Sequence, residues 1–230
     1  MLWLKAWLET RWRVAWALMI GILFFAMPII STRNAPSTTA AQVRVALLMF
    51  LIVQAAIFAA IMLAGSGIHT ASTRAGASDK GAERSMIFTL SLPVTRLRLF
   101  LVRTATGILE TGIFLAILFT ALWILWPQPT TSPRDALGYF AMVAACSLAV
   151  YALSACLSTF CDEGARVRAS VVILIVPSAF VFRAGRSSVN TFHDLALTTH
   201  AASGLIIGTA IALAALFFAA AILIIQRRDY

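Results

Sequence analysis

Residues 201–225 read AASGLIIGTAIALAALFFAAAILII, an apolar run without a single charged side chain. An α-helix advances about 1.5 Å per residue, so roughly 20 apolar residues are enough to cross the hydrocarbon core of a bilayer. Runs of comparable length lie at residues 14–30, 45–64, 107–126 and 136–160. Glu110 is the only charged residue within these five runs. The sequence therefore predicts an all-α membrane protein.

A sixth apolar run, at residues 169–182, is shorter and contains Pro177. Because proline interrupts a helix, this run either stops short of a full crossing or continues as a broken or re-entrant segment. The chain has 230 residues, of which 61% are hydrophobic, and this leaves little sequence for a soluble catalytic domain. We predict one domain, residues 1–230, with six transmembrane helices and an outer connector at residues 183–200.

The basic residues are distributed unevenly between the two sides of such a protein. With six spans, both termini lie on one side, together with the second and fourth connectors. That side carries Lys5, Arg11, Arg13, Arg74, Lys80, Arg84, Arg96, Arg98, Arg103, Arg166, Arg168, Arg227 and Arg228. The opposite side carries Arg33, Arg44, Arg134, Arg183 and Arg186. This asymmetry predicts a multi-pass protein of the bacterial inner membrane with both termini in the cytoplasm.

The net charge of +9 has a simple explanation in this arrangement. The basic residues flank the spans instead of forming one patch, so anionic lipid headgroups are the expected partner and nucleic acid is not.

The N-terminal residues 1–13 have the pattern of an amphipathic helix. One helical face carries Leu4, Trp7, Leu8 and Trp12, and another carries Lys5, Glu9 and Arg13. This predicts an interfacial helix that lies on the membrane before the chain turns into the first span. The alternative is that these residues are the cytoplasmic end of a tilted first span with an aromatic belt. In both cases they anchor the chain to membrane lipids.

The connector at residues 65–106 is the only long segment predicted to be cytoplasmic. Residues 83–92 predict a short helix with Met86, Ile87 and Leu90 on one side. A small helix with apolar side chains below a bilayer has little else to bury them against, so we expect it to dock onto a cytoplasmic partner. The alternative is an ordinary basic loop that fixes the topology.

The end of this connector predicts the start of the third span. Pro93 ends the short helix, and Thr95 is placed to cap the next one. That helix carries Arg96, Arg98 and Arg103 at the membrane surface and continues into the third span.

Residues 83–96, ERSMIFTLSLPVTR, resemble the hallmark of type-2 ATP-binding-cassette permeases, in which an acidic residue is followed by a run ending in Leu-Pro-Val-(Ser/Thr)-Arg between spans 2 and 3. The overall layout is also similar, with a Trp-rich basic N-terminal helix, six spans and a basic tail. One departure is the outer connector at residues 183–200, which is short for the re-entrant helices of the larger members.

The resemblance implies a permease that pairs with a second copy or a homologous permease. It further implies that separate ATP-binding-cassette subunits, which bind ATP and magnesium, drive this pair. The residues that it assigns to the coupling helix are Glu83, Met86, Ile87, Leu90, Pro93 and Arg96.

No ATPase motif is present in the chain itself. A phosphate-binding loop requires Gly-x-x-x-x-Gly-Lys-(Ser/Thr), whose backbone N–H groups and lysine hold the phosphates. The only lysines, Lys5 and Lys80, do not complete that pattern. We therefore expect no enzymatic activity and no cofactor in this chain.

Polar residues inside the spans are further candidates. Glu110 is costly in hydrocarbon and is a functional candidate, but a neutralised pair with Arg103, which occupies roughly the same helical face, is the interpretation we favour. Gln54 either lines a pathway or bonds to a neighbouring helix, of which we favour the second. Pro177 is a candidate pathway or packing residue.

Small residues, histidines and cysteines carry weaker signals. A ridge of Gly204, Gly208 and Ala212 on the last span predicts close packing within one subunit, with a dimer contact as the alternative. The spacing of His193, Asp194 and His200 matches no metal site. Three cysteines, Cys146, Cys156 and Cys161, are expected to be reduced thiols that pack as small apolar residues.

Two classes of function follow. In the first, the chain is the permease subunit of an exporter, whose cargo is hydrophobic or amphiphilic because its spans carry too few polar groups to hold a hydrophilic ligand. In the second, it is a non-transporting scaffold or assembly factor that recruits a cytoplasmic partner. An intramembrane enzyme acting on lipid is a third alternative.

Overall fold

The described part of the chain is helical and contains no strand. The computed structural model describes residues 2–31, 38–64, 95–125, 133–159, 168–169, 172 and 190–228. Five helices lie within these ranges: α1 (Leu2–Ser31), α2 (Thr38–Leu63), α3 (Arg96–Leu125), α4 (Pro133–Leu157) and α5 (Asn190–Arg228). The predicted all-α class is confirmed for these residues.

Local sequence explains where several helices begin and end. α2 ends at Leu63, just before the glycine at position 65. α3 ends at Leu125. The next residue directly precedes Pro127, and the helical conformation is disfavoured for a residue before proline. α4 begins at Pro133, because a proline in the first turn has no hydrogen bond to lose.

Three helices of the described residues are long and apolar enough to cross a membrane. They are the segments Leu97–Ala121, Leu137–Leu157 and Gly204–Arg227. The segment Leu51–Leu63 of α2 is a shorter apolar helix. The chain is therefore a helical membrane protein. The predicted number of six spans stays a prediction, because residues 169–182 lie outside the described residues apart from Ala169 and Val172.

Two helices extend beyond the predicted apolar runs. α1 continues without a break from Leu2 to Ser31, so no interruption separates the predicted interfacial helix from the first span. Whether residues 1–13 lie on the membrane or form the end of the first span stays a prediction. α5 begins at Asn190, well before the apolar run at residue 201, so its first turns occupy part of the predicted outer connector.

The contacts of α1 with α3 define their relative direction. Thr10 of α1 contacts Glu110 of α3. Farther along both helices, Gly21 lies against Phe114 and Leu118. The two helices therefore run parallel, as expected of the first and third spans in a membrane.

Two further helices run in the opposite direction to α3. α2 ends with Leu63 beside Gly107, and Ala56 belongs to the same buried cluster as Leu115. In α4, Tyr151 bonds to Thr104. The rings of Phe140 and Phe119 lie 4.5 Å apart near the other end of α3. We call the end of the bundle that contains Thr10, Arg13, Arg98 and Arg103 the basic end.

The core is built largely from alanine. Buried alanines in the main cluster are Ala17, Ala55, Ala59, Ala60, Ala155 and Ala221. In a membrane, helices associate through close packing and not through a hydrophobic driving force, so small residues at the contacts allow the backbones to approach. The most extensive helix contact joins α4 with α5.

Candidate functional site

Most of the predicted coupling residues lie outside the described residues. These are Glu83, Met86, Ile87, Leu90 and Pro93, and the same holds for Pro177 in the short apolar run at residues 169–182. Arg96 is the first residue of α3. The structure therefore describes the helix ends on either side of the coupling segment, which are the end of α2 and the start of α3.

The start of α3 matches the predicted cap. The backbone N–H of Arg98 donates to the hydroxyl oxygen of Thr95 at 3.4 Å, and the N–H of Leu99 donates to the Thr95 carbonyl oxygen at 3.2 Å. An N-cap side chain accepts a hydrogen bond from the N–H of the third helical residue, and the N-cap carbonyl oxygen accepts the first intrahelical bond. Thr95 makes both. The prediction that Thr95 caps a helix continuous with the third span is confirmed.

Tyr151 of α4 lies where α2 ends against α3. Its hydroxyl donates a hydrogen bond of 3.1 Å to the carbonyl oxygen of Thr104. The residue is 1% exposed. A phenol in an apolar interior needs such a partner, because an unpaired polar group there is costly.

Gly107 makes this junction possible. A Cβ atom at this position would overlap the Tyr151 hydroxyl oxygen and would lie 2.7 Å from the carbonyl oxygen of Leu63. Because Gly107 has no side chain, the end of α2 and the Tyr151 side chain can both approach the α3 backbone closely at this position. We call these four residues, Leu63, Thr104, Gly107 and Tyr151, the tyrosine junction.

The junction also reaches the last helix. The ring of Tyr151 lies 6.3 Å from the ring of Phe218 in α5, tilted by 49°. Side chains or backbone of four helices thus meet at one tyrosine. Sequence reasoning missed this residue. The signal that marks it is a tyrosine in the middle of an apolar run, because its hydroxyl must find an acceptor.

Glu110 forms a second polar contact, between α1 and α3. The carboxylate is 2% exposed, and its Oε1 accepts a hydrogen bond from the hydroxyl of Thr10. That hydroxyl also lies 3.2 Å from the carbonyl oxygen of Trp7. A hydroxyl has one hydrogen to donate, so these two acceptors compete for it.

The other carboxylate oxygen of Glu110, Oε2, is buried and has no hydrogen-bond partner among the described residues. Arg13 of α1 acts electrostatically on this carboxylate. The predicted pair with Arg103 of the same helix stays a prediction. The structure thus makes Glu110 an element of the contact between two helices.

Other hydroxyls in the core are satisfied by their own helix. Ser147 donates to the carbonyl oxygen of Val143 at 2.8 Å, and Thr111 donates to that of Gly107 at 2.7 Å. Such bonds leave a buried hydroxyl with no need of a ligand. Gln54 is half-buried in α2, and its predicted role in packing stays a prediction.

The predicted small-residue ridge of α5 lies on an exposed face of the described bundle. A Cβ atom on Gly204 or Gly208 would meet no heavy atom within 4 Å, and Ala212 is exposed. Within the described ranges the ridge therefore does not pack against another helix of the same chain. Cys146 and Cys156 are free thiols. No group of three potential metal-binding side chains occurs in this part of the chain.

No protein-family model matches the chain, and searches of the curated proteins and of the solved structures return no match. The architecture defines the class, a helical membrane protein with a tyrosine junction and a buried carboxylate near its basic end. The resemblance of residues 83–96 to a permease hallmark stays a prediction.

Proposed function

We propose that this chain is the membrane-spanning permease subunit of an ATP-binding-cassette exporter. In this proposal a separate subunit binds ATP and magnesium. Two permeases, identical or homologous, pair with each other and enclose the transport pathway. The observation that carries the proposal is the continuity of α3. The helix starts at the Thr95 cap, within the last two residues of the hallmark-like segment, and runs unbroken to Leu125.

A continuous helix is suited to mechanical coupling. A force applied to residues 83–94 reaches the first turn of α3, where Leu99 and Phe100 are buried against the bundle. Since helices move as rigid bodies in packed interiors, the whole of α3 follows a displacement of its first turn. The same segment is connected to the end of α2, so both helices receive the force.

The interior of the bundle favours an apolar or amphiphilic cargo. Its buried surface consists mainly of alanine, leucine, isoleucine and phenylalanine, and the buried hydroxyls of Ser147 and Thr111 are bonded to their own helix. A hydrophilic ligand would lose its hydration without gaining enough polar partners.

The basic end is proposed to face the cytoplasm. Arg98 and Arg103 of α3 and Arg13 of α1 lie at this end. Basic residues near span ends are retained on the cytoplasmic side during insertion. Both termini and residues 65–94 then lie in the cytoplasm of a bacterial inner membrane, within reach of an ATP-binding subunit.

The test is purification of the tagged chain from its host in mild detergent, followed by reconstitution into liposomes. We expect an ATP-binding-cassette subunit to copurify and its ATP hydrolysis to be sensitive to vanadate. Leu90→Ser should reduce this association, whereas Leu137→Ser, the same change at an exposed position on the opposite end of the bundle, should not. A reproducible complex without a nucleotide-binding protein would exclude the exporter and favour the scaffold.

A further inference from the structure

Residues 65–94 are anchored to the bundle at two points. Upstream, α2 ends at Leu63, whose carbonyl oxygen lies over Gly107. Downstream, α3 starts at Arg96, about three helical turns before Gly107. The backbone joins residues 65–94 to both helix ends, so a displacement of this segment reaches the end of α2 and the first turns of α3.

Tyr151 is an α4 side chain that bonds to α3 and lies beside the end of α2. Its hydroxyl bonds to the Thr104 carbonyl oxygen in α3. The Tyr151 hydroxyl oxygen also occupies the space above Gly107, beside the carbonyl oxygen of Leu63 in α2. On the other side, the ring packs near Phe218 of α5. One buried side chain thus joins both anchor points to the two C-terminal helices.

The packing at this point is too close to absorb a displacement. The space above Gly107 does not admit even one methyl group without overlap. Close-packed interiors have low compressibility and transmit strain, and packed interfaces shift between discrete arrangements. A shift of Thr104 therefore moves the Tyr151 ring or breaks its hydrogen bond, and a shift of Leu63 toward Gly107 displaces the Tyr151 hydroxyl.

We propose that Tyr151 is the positioning residue that transmits displacement of residues 65–94 from α2 and α3 to α4 and α5. The role in transport rests on the proposed permease function, because the ATP-binding subunit supplies the displacement. The mechanical link itself is a property of this chain and is measurable without nucleotide.

The first measurement is hydrogen exchange of the full chain in lipid nanodiscs without nucleotide. Tyr151→Phe removes only the hydroxyl, and we expect faster exchange both around Leu63 and around Phe218, by about threefold. Tyr139→Phe makes the same change on the same helix near its opposite end, and it should leave both regions unchanged. Unaltered exchange around Phe218 in Tyr151→Phe overturns the link.

The second measurement uses the complex with its ATP-binding subunit. Spin labels at Leu101→Cys of α3 and Leu216→Cys of α5, both exposed positions, report the distance between these helices in a background without the native cysteines. We expect a nucleotide-dependent shift that is lost with Tyr151→Phe and kept with Tyr139→Phe, while ATP hydrolysis continues in both. A shift that persists in Tyr151→Phe overturns transmission through this residue.

The two measurements separate the inference from the proposed function. If no ATP-binding subunit associates with the chain, the permease function is wrong, and hydrogen exchange alone decides whether Tyr151 links the helices. If the subunit associates and the exchange pattern fails, the function stands and the Tyr151 link is wrong.

Discussion

Thr10 of α1 donates a hydrogen bond to Glu110 of α3, and this contact joins two helices that are far apart in sequence. The carboxylate is buried, and its second oxygen has no hydrogen-bond partner among the described residues. Removal of one partner from such a pair leaves a desolvated polar group, whereas removal of both leaves an apolar contact. The two residues should therefore be strongly non-additive.

This relationship predicts the result of a double-mutant cycle. Thr10→Val should lower the free energy of unfolding by about 1–3 kcal/mol, because Glu110 loses its hydrogen bond. Thr10→Val combined with Glu110→Leu should recover most of that loss. Unfolding is followed by tryptophan fluorescence in detergent. Thr120→Val is the control, because that hydroxyl is exposed and bonds to the Ala116 carbonyl oxygen of its own helix. Additive effects of Thr10→Val and Glu110→Leu would contradict the pairing.

The tyrosine junction predicts opposite effects for two glycines of the same helix. Gly107→Ala places a methyl group against Leu63 and Tyr151, and such overpacking costs about 1–3 kcal/mol. Gly112→Ala meets no atom within 4 Å and should be neutral or stabilising by up to about 1 kcal/mol, since alanine favours a helix. Thermal unfolding of the two variants compares them. Equal stabilities would show that Gly107 is not closely packed.

The Thr95 cap predicts local fraying of α3. Thr95→Ala should lower the free energy of unfolding by about 1 kcal/mol. It should also accelerate hydrogen exchange at Arg98, whose amide loses its side-chain acceptor, and at Leu99, whose bond to the Thr95 carbonyl oxygen becomes less ordered. Thr95→Asn supplies another good capping side chain and should retain the protection. Should both variants exchange alike, the side chain of Thr95 does not stabilise the helix end.

The distribution of basic residues predicts the labelling pattern of single cysteines. Arg11→Cys lies at the basic end, and Leu137→Cys lies at the opposite end, both at exposed positions. In a background without Cys146, Cys156 and Cys161, a membrane-impermeant maleimide added to intact cells should label only Leu137→Cys. Inverted membrane vesicles should give the reverse pattern. Labelling of Arg11→Cys from outside would contradict the proposed orientation.

The sequence is most informative about the helices and the start of α3. The length of the apolar runs at residues 107–126, 136–160 and 201–225, which together contain one charged residue, predicted three of the helices, because these properties are local. The capping side chain of Thr95 was predicted for the same reason, since its hydrogen bonds join residues three and four positions apart. The true start of α5 at Asn190 was missed, because residues 190–200 are too polar to be recognised from hydropathy alone.

Tertiary contacts were beyond the sequence pattern. Helical spacing suggests a pair of Glu110 with Arg103, but it could not reveal the hydrogen bond that Glu110 accepts from Thr10 of α1. Tyr151 carried no recognised motif, and its importance arises from Gly107 on a different helix. Both contacts depend on which helices pack against each other. The spacing of apolar residues within one helix does not predict this.

The extensive contact of α4 with α5 has a consequence for biosynthesis. α5 is the last of the described helices to be synthesised, and residues 158–189 are translated between α4 and α5. Until then, the face of α4 that contains Ala155 has not met Ala221 and Ile225 of its cluster. The contacts among the described helices are therefore completed only after α5 has been synthesised. A chain that stalls before Asn190 should be a substrate for membrane quality-control proteases.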